Sequence, residues 1–169
     1  MTMPTVTERA RAIALLAFDV DGVCTDGKLY YGPDGCAMHA FHARDGLGLV
    51  MARQAGIVCC AISGRRSKNV EARLGELKVP FIRQGVGDKA AEMQAILDEC
   101  ALKPAQACFV GDDINDLSVM AMSGLSVAVA DAEPAVLAAA HVVTRRLGGG
   151  GALREIVELI LRAQDRWTA

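Results

Sequence analysis

The sequence lacks most of the features that would send a chain to nucleic acid, a membrane or an oxidising compartment. It has no large excess of charge of either sign: 18 Lys and Arg against 20 Asp and Glu leave a net charge of −2. A broad electrostatic footprint for nucleic acid is therefore not expected. No apolar run approaches the roughly 18 residues of a membrane span. Met1 to Arg11 holds no apolar stretch next to a cleavage site, so no signal peptide is expected. The six cysteines (Cys24, Cys36, Cys59, Cys60, Cys100 and Cys108) include no C-x-x-C pair, and the three histidines (His39, His42, His141) are not spaced as zinc partners. Internal repeats, linkers and low-complexity tracts are also missing, apart from Gly148 to Gly151.

What is present is apolar and ordered. The hydrophobic fraction is 52% and the charged fraction 22%, which excludes a disordered chain. A chain of 169 residues can bury a core without disulfides and suits a single domain, 1–169. Cys59, Cys60 and Cys108 fall in apolar runs where a thiol acts as a small hydrophobe, so reduced, buried thiols in a cytoplasmic protein are expected.

Short apolar runs alternate with helical segments. Ile13 to Phe18, Ile57 to Ile62, Pro80 to Ile82, Ala107 to Val110, Leu125 to Val129 and His141 to Val143 read as strands covered on both faces. Helices are expected over Leu47 to Gln54, Lys68 to Leu74, Ala90 to Cys100, Asp116 to Met122, Pro134 to Ala139 and Ala152 to Gln164. The last carries a stripe of Leu153, Ile156, Val157, Ile160 and Leu161. This alternation predicts an α/β fold, a doubly wound, Rossmann-like parallel sheet. Lys28 to Tyr31 and Cys36 to Phe41 flank Gly32-Pro33-Asp34-Gly35, and that turn chemistry predicts a β-hairpin after the first strand.

Ligands in such sheets bind beyond the carboxyl ends of the strands. Asp19 and Asp21 follow the first strand, Ser63-Gly64-Arg65 the second, and Gly111-Asp112-Asp113-Ile114-Asn115-Asp116 the run at 107–110; Gly87-Asp88-Lys89 precedes a helix. Asp19 and Asp21, two apart on an extended segment, point the same way, so a proton or a cation must sit between them. Any one of Asp112, Asp113 and Asp116 could be a helix cap. Together with Asp19 and Asp21 they make a hard-oxygen cation site, and few carboxylates with room for water favour Mg²⁺ over Ca²⁺. Ser63 and Lys89 add a hydroxyl and an ammonium suited to phosphate.

Four segments in order, FDVDGV (Phe18 to Val23), ISGR (Ile62 to Arg65), GDK (Gly87 to Lys89) and GDDIND (Gly111 to Asp116), resemble the motifs of the haloacid dehalogenase (HAD) superfamily of aspartate-nucleophile phosphatases. The resemblance implies that Asp19 is the nucleophile and Asp21 the general acid and then base. It implies that Asp19, the Asp21 backbone carbonyl and Asp112 hold Mg²⁺ with Asp113 and Asp116 behind them, and that Ser63, Gly64 and Lys89 bind the phosphoryl group. The intervals between motifs leave no room for a separate cap domain, so the site is either open to a large substrate or covered by another subunit.

Within the superfamily the chain is similar to the cap-less, tetrameric 3-deoxy-D-manno-octulosonate (KDO) 8-phosphate phosphatases of lipopolysaccharide-sugar synthesis. DGVCTDGKLYYGPDG (Asp21 to Gly35), FHARDGLG (Phe41 to Gly48), GRRSKNVEAR (Gly64 to Arg73), VGDDINDLSVM (Val110 to Met120), LSVAVADAEP (Leu125 to Pro134) and VTRRLGGGGALRE (Val143 to Glu155) carry that likeness. It implies a homotetramer built on the hairpin at about 28–41, a neighbouring subunit closing each site, and substrate contacts from Asp21, His42, Ala43, Arg44, Asp45, Gly46, Arg65, Arg73 and Asn115. Guanidinium groups suit the carboxylate of a sugar acid. Leu49-Val50-Met51 lacks the positive charge the family often carries after its RDG turn, which leaves a sialic-type nonulosonate 9-phosphate as the alternative substrate. Other readings are a phosphatase for a macromolecule, a phospho-receiver domain and a catalytically dead relative. All four motifs being intact weighs against the last.

Overall fold

A computed structural model describes residues 4–168, apart from the side chains of residues 36 and 37. Six parallel strands form the main sheet: β1 (Leu15–Phe18), β4 (Val58–Ser63), β5 (Phe81–Gln84), β6 (Ala107–Gly111), β7 (Leu125–Ala128) and β8 (Val142–Val143). Their order across the sheet is β5-β4-β1-β6-β7-β8. Residues of β1, β4, β6 and β7 are buried almost throughout, because helices cover both faces; this is why those strands read as unbroken apolar runs. Phe18 and Phe109 are the largest side chains of this core.

The helices are α1 (Val6–Arg11), α2 (Ala43–Gln54), α3 (Lys68–Glu76), α4 (Lys89–Glu99), α5 (Leu117–Met122), α6 (Pro134–Ala139) and α7 (Ala152–Ala163). α7 packs against α2 and α1, and α5 packs against α4 and α6. The expected stripe of α7 is buried at every position. α1 was not expected from hydrophobic periodicity. Its signal is the capping box Thr5-x-x-Glu8, in which Glu8 N donates to Thr5 Oγ1 and Thr5 N to Glu8 Oε2. No helix among the described residues is long and apolar enough to cross a membrane.

The hairpin forms as its turn residues demand. β2 (Tyr30–Gly32) and β3 (Gly35–Met38) pair antiparallel as a separate two-stranded sheet, with Gly35 at φ +106°. The strands are shorter than expected, and Tyr30, Tyr31 and Met38 are exposed, while Phe41 packs on the main core. The described cysteines are free thiols: Cys24, Cys59, Cys60 and Cys108 are buried and Cys100 is half-buried. Burial pushes the Cys59 thiol up to about 12 and Cys60 and Cys108 higher still, which keeps them inert.

The strand order places the chemistry. β1 sits between β4 and β6, and the chain runs from β1 outward through β4 and β5 before crossing back to β6. The carboxyl ends of β1, β4 and β6 are therefore neighbours, at the point where the direction of winding reverses.

Candidate active site

Asp19, Ser63 and Asp112 stand at or just beyond the ends of those three strands. With Asp21, Gly64, Arg65, Asp113 and Asn115 they line one cavity of about 190 Å³. Asp19 N donates to Val110 O at 3.0 Å, which fixes the start of the loop against β6. The chain then makes a single wide turn, Val20–Cys24, closed by Thr25 N donating to Val20 O at 3.0 Å. Gly22 turns at φ +89° with its Cα against the Asp112 carboxylate, so a Cβ there would strike that carboxylate. Gly148 and Gly149 lie against the backbone of Gly22 and of Thr25–Asp26, and Gly149 N donates to Val23 O at 2.9 Å. The glycine tract at 148–151 thus backs the loop that carries Asp21.

The site concentrates negative charge. Asp19, Asp112 and Asp116 each bring a carboxylate oxygen within 4.8 Å of the others. Lys89, the first residue of α4, is buried among them: its Nζ donates to Asp116 Oδ1 at 2.6 Å and forms an ion pair with Asp19 Oδ1 at 3.0 Å. Asp116 Oδ2 accepts from the amides of Asp112 (3.0 Å) and Asp113 (3.4 Å), so this fully buried carboxylate orients both Lys89 and the loop after β6. Asp112 Oδ1 is buried with no hydrogen-bond donor among the described residues.

These surroundings set the protonation states. Burial pushes Asp19 up to about 6, against the pull of Lys89, which acts to lower it. Burial, with the negative charges of Asp19 and Asp116, pushes Asp112 up to about 8. Burial acts to lower Lys89, but the facing charges of Asp19 and Asp116 outweigh it and the ammonium is held above its ordinary value. Two carboxyls that resist ionisation beside an unpaired oxygen are what a divalent cation relieves, and all-oxygen donors fit Mg²⁺.

The remaining candidates divide. Ser63 Oγ is buried and accepts from Arg65 N at 3.2 Å. Asp21 faces Arg65 Nε at 3.4 Å and His39 Nε2 at 3.5 Å, and Arg65 Nη2 donates to the hydroxyl of Tyr31 at 3.2 Å. His39 and Tyr31 come from the hairpin and its exit. No sequence spacing marks them, because only the folding back of the hairpin brings them to Asp21 and Arg65. Asp113 is exposed and caps the turn at 114–116 through Ile114 N at 2.6 Å.

His42, Ala43, Arg44, Asp45, Gly46 and Arg73 do not line this cavity. His42 caps α2 by accepting from Arg44 N at 3.2 Å, and Ala43 and Arg44 are exposed. Asp45 is buried, and its two oxygens accept from Gly151 N (3.1 Å) and Arg154 N (2.8 Å), capping α7. Arg73 lies against Gly46 and pairs with Glu76 at 3.0 Å.

Three carboxyls and a hydroxyl on one small cavity, with the Lys89 ammonium buried 3.0 Å from Asp19 beside a hard-oxygen cation site, are groups of the kind that phosphoryl transfer uses. Comparison with known proteins agrees. Residues 78–156 match the family model for haloacid dehalogenase-like hydrolases. The chain is 45% identical over 161 residues, 95% of its length and 86% of the relative's, to the 3-deoxy-D-manno-octulosonate 8-phosphate phosphatase of Yersinia pestis. The crystal structure of that phosphatase superposes with a TM-score of 0.93, covering 95% of this chain and 87% of that one. The Moraxella catarrhalis phosphatase of the same name, solved in complex with magnesium ion, phosphate ion and KDO, is 35% identical with a TM-score of 0.91, covering 94% of this chain and 91% of that one.

Proposed function

We propose that this chain, which belongs to the haloacid dehalogenase-like hydrolases and within them to the 3-deoxy-D-manno-octulosonate 8-phosphate phosphatase family, converts KDO 8-phosphate to KDO and inorganic phosphate. The observation that carries the reading is the convergence of Asp19, Asp21, Ser63 and Asp112 on one cavity, with Lys89 buried 3.0 Å from Asp19, in a phosphatase so closely related to that family. The pathway it would serve is lipopolysaccharide-sugar synthesis in the cytoplasm.

Asp19 is the nucleophile: its carboxylate attacks phosphorus and the bond from phosphorus to the sugar oxygen breaks. The departing alkoxide is a poor leaving group, so Asp21 gives it a proton. In the second half, ionised Asp21 takes a proton from water as the water oxygen attacks phosphorus and the Asp19 carboxylate leaves. Inorganic phosphate departs with Asp21 protonated again. Ser63, Gly64 and Lys89 hold the phosphoryl group, and Lys89 offsets the repulsion between the phosphate dianion and Asp19. Mg²⁺ suits Asp19, Asp112 and the Asp21 backbone carbonyl. When bound it neutralises phosphate charge and aligns the attack.

A cavity of about 190 Å³ accommodates the phosphoryl group. It is smaller than the roughly 300 Å³ at which small-molecule pockets begin, so the sugar extends past the rim beside Arg65 and Tyr31. A homotetramer assembled through the exposed hairpin, with a neighbour covering the sugar, supplies the missing wall; the single domain has no cap of its own. Within such an assembly Arg65 and Asn115 reach the substrate from this chain. His42 to Gly46 and Arg73 act on α2 and α7 or on a neighbour's sugar.

Phosphate release from KDO 8-phosphate, a nonulosonate 9-phosphate, hexose phosphates and a phosphopeptide, with Mg²⁺ and with chelator, tests the reading. A strong Mg²⁺-dependent preference for KDO 8-phosphate is expected. Preference for the nine-carbon acid would overturn the substrate, and release from the phosphopeptide alone would overturn the sugar-phosphate class.

A further inference from the structure

The carboxyl of Asp21 is flanked on two sides, by a guanidinium and an imidazole. Oδ2 faces Arg65 Nε at 3.4 Å. Oδ1 is buried, and no donor among the described residues gives it a well-aligned hydrogen bond. The group facing it is Nε2 of His39 at 3.5 Å, on an imidazole only 1% exposed. An acid and base working in both halves of a reaction needs one fixed orientation, since a carboxyl that turns about its own axis presents the wrong atom.

The far side of the His39 ring faces the start of α3. Its other nitrogen, Nδ1, lies 3.5 Å from Asn69 Nδ2 and 3.5 Å from Ser67 Oγ, both at the start of α3. With the Asn69 amide nitrogen as donor, Nδ1 accepts, and the ring's hydrogen then sits on Nε2, the atom turned to Asp21. The Phe41 ring, tilted with its centroid 6.1 Å from that of His39, packs beside it. These contacts are at the long end of hydrogen-bond range, as side chains around a reacting group often are before substrate binds.

We propose that His39 is a positioning residue for Asp21: from the hairpin's exit it aims the carboxyl at the leaving oxygen and then at the attacking water. This rests on Asp21 being the acid and base. The hairpin then serves the reaction within its own subunit, apart from any part in assembly.

The test uses the full chain with Mg²⁺ and compares His39→Ala and His39→Gln, the latter returning an N–H donor near the position of Nε2. On KDO 8-phosphate, His39→Ala is expected to lower kcat by about tenfold or more with KM within about twofold, since proton transfer is worth about 10²–10⁴-fold and only its aim is lost. His39→Gln is expected to recover most of that loss. p-Nitrophenyl phosphate separates the two half-reactions, because p-nitrophenolate leaves without a proton. Rapid mixing of His39→Ala should keep the burst of p-nitrophenol while steady turnover falls. Equal loss of burst and turnover, an unchanged kcat, or no recovery in His39→Gln would overturn the proposal. Asp19→Asn is run beside them. An active Asp19→Asn protein would overturn the nucleophile reading itself, whereas an inactive one beside an unaffected His39→Ala protein would overturn only the role of His39.

Discussion

Replacing Lys89 by Met removes the ammonium buried among the site's carboxylates while keeping most of the side-chain volume. Lys89 is 4% exposed and its Nζ lies 3.0 Å from Asp19 and 2.6 Å from Asp116, which is itself fully buried. Its loss leaves those two carboxylates and Asp112 facing one another without a counter-charge. Breaking a buried pair from one side costs about 3–5 kcal/mol. At about 2–4 °C per kcal/mol for a chain of this size, the metal-free protein should lose about 6–20 °C in Tm at pH 7.5. Protonation provides a partial escape. Asp19 already sits at about 6 with Lys89 pulling it down, so without Lys89 it rises further and takes up a proton. The loss should therefore shrink at pH 5, and Asp116→Asn in the same chain should restore part of it. Mg²⁺ should also recover stability without restoring activity, because phosphoryl binding by the ammonium is gone; kcat/KM should fall by about 10²-fold or more. Differential scanning calorimetry with and without chelator at both pH values, beside steady-state phosphate release, reads all of these. A metal-free Tm within about 2 °C of the parent at pH 7.5 would refute the claim that Lys89 holds these charges together.

Burial raises Asp19 to about 6 and Asp112 to about 8 from an ordinary 3.8, so their contribution to metal-free stability is fully present below about pH 4 and is lost as pH rises through 6 and 8. Mg²⁺ binding displaces those protons, so the Tm gap between Mg²⁺ and chelator should widen steadily from pH 5 to pH 8; a flat gap would contradict the assignment. Gly22→Ala places a methyl against the Asp112 carboxylate at a φ of +89°, and it should abolish Mg²⁺-dependent turnover while circular dichroism still reports a folded chain. Asp45→Ala uncaps α7 and should cost about 1–2 kcal/mol in urea unfolding, with KM for the sugar phosphate within about twofold; a large rise in KM would return Asp45 to the substrate. If the hairpin builds the proposed tetramer, Tyr30→Glu on it should give smaller species by light scattering and raise KM, whereas an unchanged mass would exclude the hairpin as the assembly surface.

The sheet was legible because burial on both faces writes itself into the sequence as short apolar runs, as at Ala107 to Val110 and Leu125 to Val129. The convergence of Asp19, Asp21, Ser63 and Asp112 on one cavity was legible because they stand at or just beyond strand ends, so chain order alone gathers them at one edge. Residues that arrive by folding back were not legible. His39 and Tyr31 carry no periodicity and reach Asp21 and Arg65 only through the hairpin. Asp116 was expected behind a metal, and the structure adds its ion pair with Lys89, 27 positions away in the chain. Asp45 and Arg73 show the converse. Their motif invites a substrate contact, yet within this chain Asp45 caps α7 and Arg73 packs on Gly46.

The most direct test of the account is to locate the phosphoryl group in mid-reaction. KDO 8-phosphate labelled with ³²P is mixed with the enzyme and Mg²⁺, quenched in acid within a single turnover, and the digested protein is mapped by mass spectrometry. One acid-stable, base-labile acyl phosphate is expected, on Asp19, and none in Asp19→Asn. Label on Asp21, Ser63 or any histidine, or full turnover with no labelled peptide at any quench time, would contradict it.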